Sequence, residues 1–171
     1  TGDYLTYEEF MPKFEQMMRW LAKTYVNALK IIHYMHDKYD YEAFEMALHD
    51  GDVERTRATG IAGLSIVADS IAAMQHCKIR IIRDESGLAV DYKIEEGEYV
   101  PFGNNCDETD SIAVSLTETF MEYLRQHRTY RDAIPTQSLL TITSNVVYGR
   151  NTGATPDGRE KGVPFAPGAN P

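Results

Sequence analysis

TYRDAIPTQSLLTITSNVVYG, residues 129–149, is the stretch on which the fold turns. Its second half, residues 138–148, is apolar and β-branched, a composition suited to a buried strand. A strand of the parallel, buried type needs neighbours on both edges to pair its backbone and cover its faces, so this run predicts a strand inside a larger sheet. The first half sets Arg128, Arg131 and Asp132 around Tyr130. That grouping reads as a buried Arg–Asp network stabilising a turn, with an anion site as the weaker alternative.

Upstream, residues 110–126 read as an amphipathic helix with Ile112, Leu116, Phe120 and Leu124 on one face. A polar loop with Pro101, Gly103, Asn104 and Asn105 precedes it. Residues 78–83 and 88–94 alternate as strands about the turn Asp84-Glu85-Ser86-Gly87, and so predict a hairpin. Residues 61–76, rich in Ala and Ile with Gly60 and Gly63 at the start, read as a helix buried on more than one side. Nearer the beginning, Thr6 and Glu9 form a T-x-x-E capping box. The long helix it opens, over residues 7–38, carries Phe10, Phe14, Met17, Leu21, Tyr25, Leu29 and Ile32 at intervals of three or four. That stripe is expected to face a core. Asp40 is placed to cap a short helix reaching His49, with Gly51 as its stop. Residues 52–56 read as a further turn. Downstream of Gly149 the character changes: residues 151–171 hold four of the seven prolines, cannot build a core alone, and are expected to dock on further polypeptide. No internal repeat is visible.

The 171 residues suit one domain, and 43% hydrophobic with 25% charged residues reads as globular. No apolar run approaches the ~20 residues that cross a bilayer, and the first residues lack the basic and apolar regions of a signal peptide. A net charge of −9 argues against nucleic acid, because phosphate contacts need clustered Lys and Arg. Cys77 and Cys106 are too few and too far apart for a disulfide scaffold or a CxxC metal site, and read as free thiols of a reducing cytoplasm.

His33, His36, Asp37, His49 and Asp50 form the one His/carboxylate cluster. Zinc needs three or four convergent ligands, and two imidazoles at a helix end are accounted for by the dipole, so no metal is expected. His49, between Leu48 and Asp50 at the mouth of a loop, is a candidate for proton transfer near neutral pH or a plain helix-end histidine. The glycines of residues 149–168 do not follow G-x-G-x-x-G, and no nucleophile elbow is present.

Four strings carry a resemblance along essentially the whole chain: IIHYMHDKYDYEAFEMALHD (31–50), GIAGLSIVADSIAA (60–73), residues 129–149, and NTGATPDGREKGVPFAPGANP (151–171). The chain resembles pyruvate formate-lyase (formate C-acetyltransferase), a glycyl radical enzyme. The resemblance implies a longer parent of class α/β, a ten-stranded β/α barrel, of which this chain is an internal, mainly helical part with a few strands. Residues 1–150 would belong to the barrel domain, and residues 151–171 to the passage toward the glycine radical domain. The parent would convert pyruvate and coenzyme A to formate and acetyl-coenzyme A by glycyl and thiyl radicals in anaerobic fermentation. An iron–sulfur, S-adenosylmethionine activating enzyme would install the radical. The resemblance further implies a cytoplasmic homodimer. The adjacent catalytic cysteines would precede Thr1 and the radical glycine would follow Pro171. Cys77 and Cys106 match neither, so no catalytic residue is expected here and the chain alone is expected to be inactive. One residue carries over: His49, in MALHD, matches the family's histidine beside the coenzyme A site. The alternatives are a 2-ketobutyrate formate-lyase and a non-catalytic interaction module.

Overall fold

A computed structural model describes residues 2–48, 51, 53–139 and 143–166. The elements run β1 (Tyr4–Leu5), α1 (Tyr7–Asp37), α2 (Tyr41–Met46), β2 (Thr56–Ile61), α3 (Leu64–His76), β3 (Lys78–Arg83), β4 (Ala89–Glu96), α4 (Asp107–Arg125), a 3-10 turn (Tyr130–Asp132), β5 (Ile134–Leu139) and α5 (Asn145–Arg150). The chain divides into two compact units. One comprises Thr1–Phe14, Gly60–Thr117 and Leu139–Pro171; the other comprises Glu15–Thr59 and Glu118–Ser138.

The first unit is built on the hairpin that the sequence predicts. β3 pairs antiparallel with β4, and β1 adds to the other edge of β3. Register places Ile79 opposite Ile94 and Ile81 opposite Tyr92. Asp84 forms the turn by accepting the Ser86 amide at 2.9 Å and the Leu88 amide at 3.0 Å. Over this sheet lies α3, whose Ile71, Ala73 and Met74 join Ile79 in one buried cluster. Leu5, Phe10, Met11, Tyr92, Ile112 and Leu116 close around it. Full burial of a side chain like Ile79 contributes about 1.5–3 kcal/mol. Gly97 (φ 93°) permits this closure, since a Cβ there would lie 2.3 Å from the His76 carbonyl oxygen.

The second unit departs from expectation along α1. Beyond Phe14 the buried positions are Met18, Ala22 and Val26, while Met17, Leu21 and Ile32 are exposed. The helix is apolar on more than one face, and a 3.6-residue period cannot choose between two such faces. Asp40 precedes α2 in the left-handed conformation (φ 59°) and makes no side-chain cap. The short helix ends at Met46, with Ala47 as its C-cap, before the expected end at His49 and Gly51; His49 itself lies outside the described residues.

Two strands differ from the sequence reading. β2 lies between the turn expected over residues 52–56 and the helix expected from Ile61, on residues for which no strand was expected. Its inward positions are Arg57 and Thr59, and a charged inward residue hides the alternation that marks a strand. β5 ends at Leu139, whereas the strand was expected over residues 138–148. Residues 140–142 lie outside the described residues, and Asn145–Arg150 is helix. Tertiary contacts override the β propensity of Val146 and Val147 there. Asn145 donates its side-chain amide to the Phe165 carbonyl at 3.0 Å, and the Phe165 amide returns to the Asn145 carbonyl at 3.2 Å. Gly149 lies against this segment so closely that a Cβ would stand 2.2 Å from the Val163 carbonyl oxygen. β5 has one strand neighbour among the described residues, β2. The Ile134 amide reaches the Arg55 carbonyl at 2.8 Å, and Thr59 Oγ1 donates to the Thr136 carbonyl at 2.8 Å.

Candidate functional site

The C-terminal end of α1, the helix α2 and the 3-10 turn bring charged and aromatic groups together in the second unit. Asp37 accepts the Tyr130 hydroxyl at 2.6 Å and Arg131 Nη2 at 2.6 Å. Arg131 Nη1 also pairs with Glu42 at 3.3 Å, and Glu42 receives Arg55 Nε. The network thus ties α1, α2, the 3-10 turn and the residue before β2. Arg131 and Asp132 both take positive φ, 51° and 54°, an uncommon conformation for non-glycine residues, and the Arg131 contacts offset its cost. The expected Arg–Asp grouping exists, but with different partners. Arg128 meets Asp132 at 3.0 Å on an exposed surface, and Arg131 turns to α1. Hydrogen bonding to the Asp37 carboxylate pushes the Tyr130 phenol up.

Beside this network, Met35, His36, Tyr39, Tyr41, Phe44, Glu45 and Leu48 line a cleft of about 850 Å³. Its walls are mostly aromatic or aliphatic, the usual lining of a site for an organic ligand. His36 packs against the Tyr41 ring at 5.7 Å, and His33 lies edge-on to Tyr130 at 6.1 Å. Burial, and then the nearby Arg57 charge, push His33 down, which favours the neutral imidazole. Among the described residues, no three His, Cys, Asp or Glu side chains are arranged to hold a metal. His49 and Asp50 lie outside the described residues, and the last described residue before them, Leu48, lines the cleft.

The first unit holds a second polar cluster. Asp69 accepts the Phe102 amide at 2.6 Å, and burial pushes its carboxyl up. Ser70 donates to Asp157 at 3.4 Å, and Tyr99 donates to the Asp157 carbonyl at 3.1 Å. Burial also raises Tyr99 and Cys77. A raised thiol carries little thiolate, which works against nucleophilic use of Cys77. The TPDGR string closes as a loop around its arginine. Arg159 donates to Thr155 Oγ1 at 3.2 Å, to the Val163 carbonyl at 2.8 Å and to the Gly153 carbonyl. Its guanidinium lies 5.2 Å from the Phe165 ring. The segment 151–166 is therefore ordered by one arginine and by its ties to α3. Sequence reasoning did not single out Glu42, Arg55 or Arg57, because surface-type charges give no sign of convergence in chain order.

The fold is shared with glycyl radical enzymes. A glycyl radical enzyme from Archaeoglobus fulgidus superposes with a TM-score of 0.68 at 20% identity, over 98% of this chain and 24% of the other. The B12-independent glycerol dehydratase from Clostridium butyricum gives 0.67 at 22% identity, over 95% and 24%. The α/β class and mixed helix–strand content expected from the sequence agree with these neighbours. The family model "Pyruvate formate lyase-like" matches residues 1–149, and the chain belongs to that family. Formate acetyltransferase 1 of Escherichia coli strain K12 is 62% identical over 170 residues, 99% of this chain and 22% of the relative's length. No described helix is long and apolar enough to cross a membrane.

Proposed function

We propose that this chain is part of a longer formate C-acetyltransferase that converts pyruvate and coenzyme A to formate and acetyl-coenzyme A. The 62% identity to Formate acetyltransferase 1 carries this reading. In it, residues 1–150 supply part of the barrel domain and residues 151–171 lead toward the glycine radical domain. The adjacent cysteines and the radical glycine lie elsewhere in the longer polypeptide. The enzyme works as a cytoplasmic homodimer, and its radical is installed by an iron–sulfur, S-adenosylmethionine activating enzyme.

Within that enzyme, His49 serves the second half-reaction. Its neutral imidazole takes the proton of the coenzyme A thiol as that sulfur bonds to the acetyl carbonyl carbon; the bond from that carbon to the enzyme cysteine breaks, and the imidazolium returns the proton to the departing cysteine sulfur. Two features support the assignment: the MALHD string, and the cleft whose lining ends at Leu48. General-base help of this kind contributes about 10²–10⁴-fold. The test is His49→Ala in the full-length, activated enzyme, with the half-reactions followed separately. Acetyl transfer to coenzyme A should fall by a factor in that range, while pyruvate cleavage and acetylation of the cysteine persist. Equal loss in both halves would make His49 a structural residue.

A further inference from the structure

Arg57, near the start of β2, is only 7% exposed. Its Nε and Nη2 are both buried, and neither has a hydrogen-bond partner among the described residues. On the neighbouring strand β5, Nε2 of Gln137 is buried and unpaired as well. All three atoms are donors. A guanidinium stays protonated under any ordinary condition, so burial does not relieve it by neutralisation. A buried charge without a counter-group is strongly unfavourable, and native folds supply one. Two acids of this unit are already engaged: Asp37 by Tyr130 and Arg131, Glu42 by Arg131 and Arg55.

The two unpaired atoms of Arg57 lie on the same edge of the guanidinium. That edge presents two parallel N–H groups, the fork that grips both oxygens of a carboxylate. We propose that Arg57, with Gln137 on the adjacent strand, is a buried carboxylate-binding site whose occupant lies outside the described residues. Two sources share that chemistry: an acidic side chain from the rest of the polypeptide, or the carboxylate of a bound small molecule. The chain spans 22% of the length of its E. coli relative, so polypeptide able to supply the acid is available. The inference requires a longer protein and does not depend on the role of His49.

The experiment uses the full-length protein carrying Arg57→Met or Arg57→Lys. Urea unfolding without substrate and KM for pyruvate and for coenzyme A are measured on each. With a protein carboxylate as occupant, Arg57→Met strands an acid in the interior. The folding equilibrium then falls by about 10²-fold or more, Arg57→Lys recovers part of the loss, and neither KM moves selectively. With a substrate carboxylate as occupant, stability without substrate is kept. KM for pyruvate rises by about 10-fold or more while KM for coenzyme A does not move. Either result upholds the site. A higher urea midpoint for Arg57→Met with both KM values unchanged overturns it, because replacing a truly unpaired charge by a hydrophobe stabilises. If Arg57→Met does not fold, a crystal structure of the unaltered full-length protein decides. Carboxylate oxygens within about 3 Å of both Nε and Nη2 uphold the site, and water or a carbonyl in their place overturns it.

Discussion

Around Ile79 the first unit closes its apolar surface on itself, with α3 and α4 covering the β1–β3–β4 sheet and Ile79 fully buried. Along α1 beyond Phe14 the second unit buries Met18, Ala22 and Val26 but leaves Met17, Trp20, Leu21, Ile31 and Ile32 exposed. Tyr39, Tyr41, Phe44 and Leu48 continue that exposed surface through α2. The same unit holds the unpaired Arg57. The cluster about Ile79 is covered within the chain, although Leu88, Val114 and Val147 of the same unit are exposed, whereas the face of α1 and α2 is left as apolar surface of the kind that proteins cover. The chain spans 22% of its relative's length, and the proposal that it is part of a longer enzyme accounts for the contrast: on that reading, part of the exposed face of α1 packs against further polypeptide.

Paired truncations should separate the two regions most strongly. Ile79→Ala should destabilise the 171-residue chain by about 2–5 kcal/mol, through lost burial and a residual cavity. Trp20→Ala should change the same chain by less than about 0.5 kcal/mol, yet destabilise the full-length protein markedly. Urea unfolding of both variants in both lengths checks this. A large loss for Trp20→Ala in the short chain would mean that α1 already has its partners.

A smaller effect is expected inside the first unit from Asp69→Asn. Burial, opposed by the Phe102 amide and aided by Asp157, raises the folded-state pKa of Asp69. A raised pKa means that the folded state holds the proton more tightly than the unfolded state. The resulting stability is present at pH values below the ordinary carboxylate range and is lost as pH rises through the folded-state value. Asparagine keeps an acceptor for the Phe102 amide without the charge. The variant should therefore gain on the parent near pH 7, and the gain should vanish as pH falls below the folded-state pKa. Thermal melts across that range read it, and a gain that grows toward acid would reverse the assignment.

The contrast between the units also explains what could be read from the sequence. Elements that pack within the chain, α3, α4 and the β3–β4 hairpin, show clean periodicity because one face has one role. On α1 two faces are apolar, so the stripe through Met17 and Leu21 was as good a candidate as the buried one through Met18 and Ala22. β2 is hidden because its inward face carries the charged Arg57, which breaks the apolar alternation of a strand. The β-branched Val146 and Val147 extend the expected strand to residue 148, but contacts between Asn145 and Phe165, distant in sequence, make Asn145–Arg150 helix. Of the candidate site, Tyr130 and Arg131 stand out in the sequence, but with Arg128 and Asp132, which pair apart from them; their partners Asp37 and Glu42 lie far off in chain order. His49 was singled out by its resemblance to the family's histidine, since a helix-end histidine has no pattern of its own.

Native-state hydrogen exchange, on the 171-residue chain and on the full-length protein, tests the contrast most directly. Amides of β3 and α3 should be protected in both, and amides of α1 from Glu15 onward strongly protected only in the full-length protein. Equal, strong protection of that part of α1 in the short chain would contradict the account.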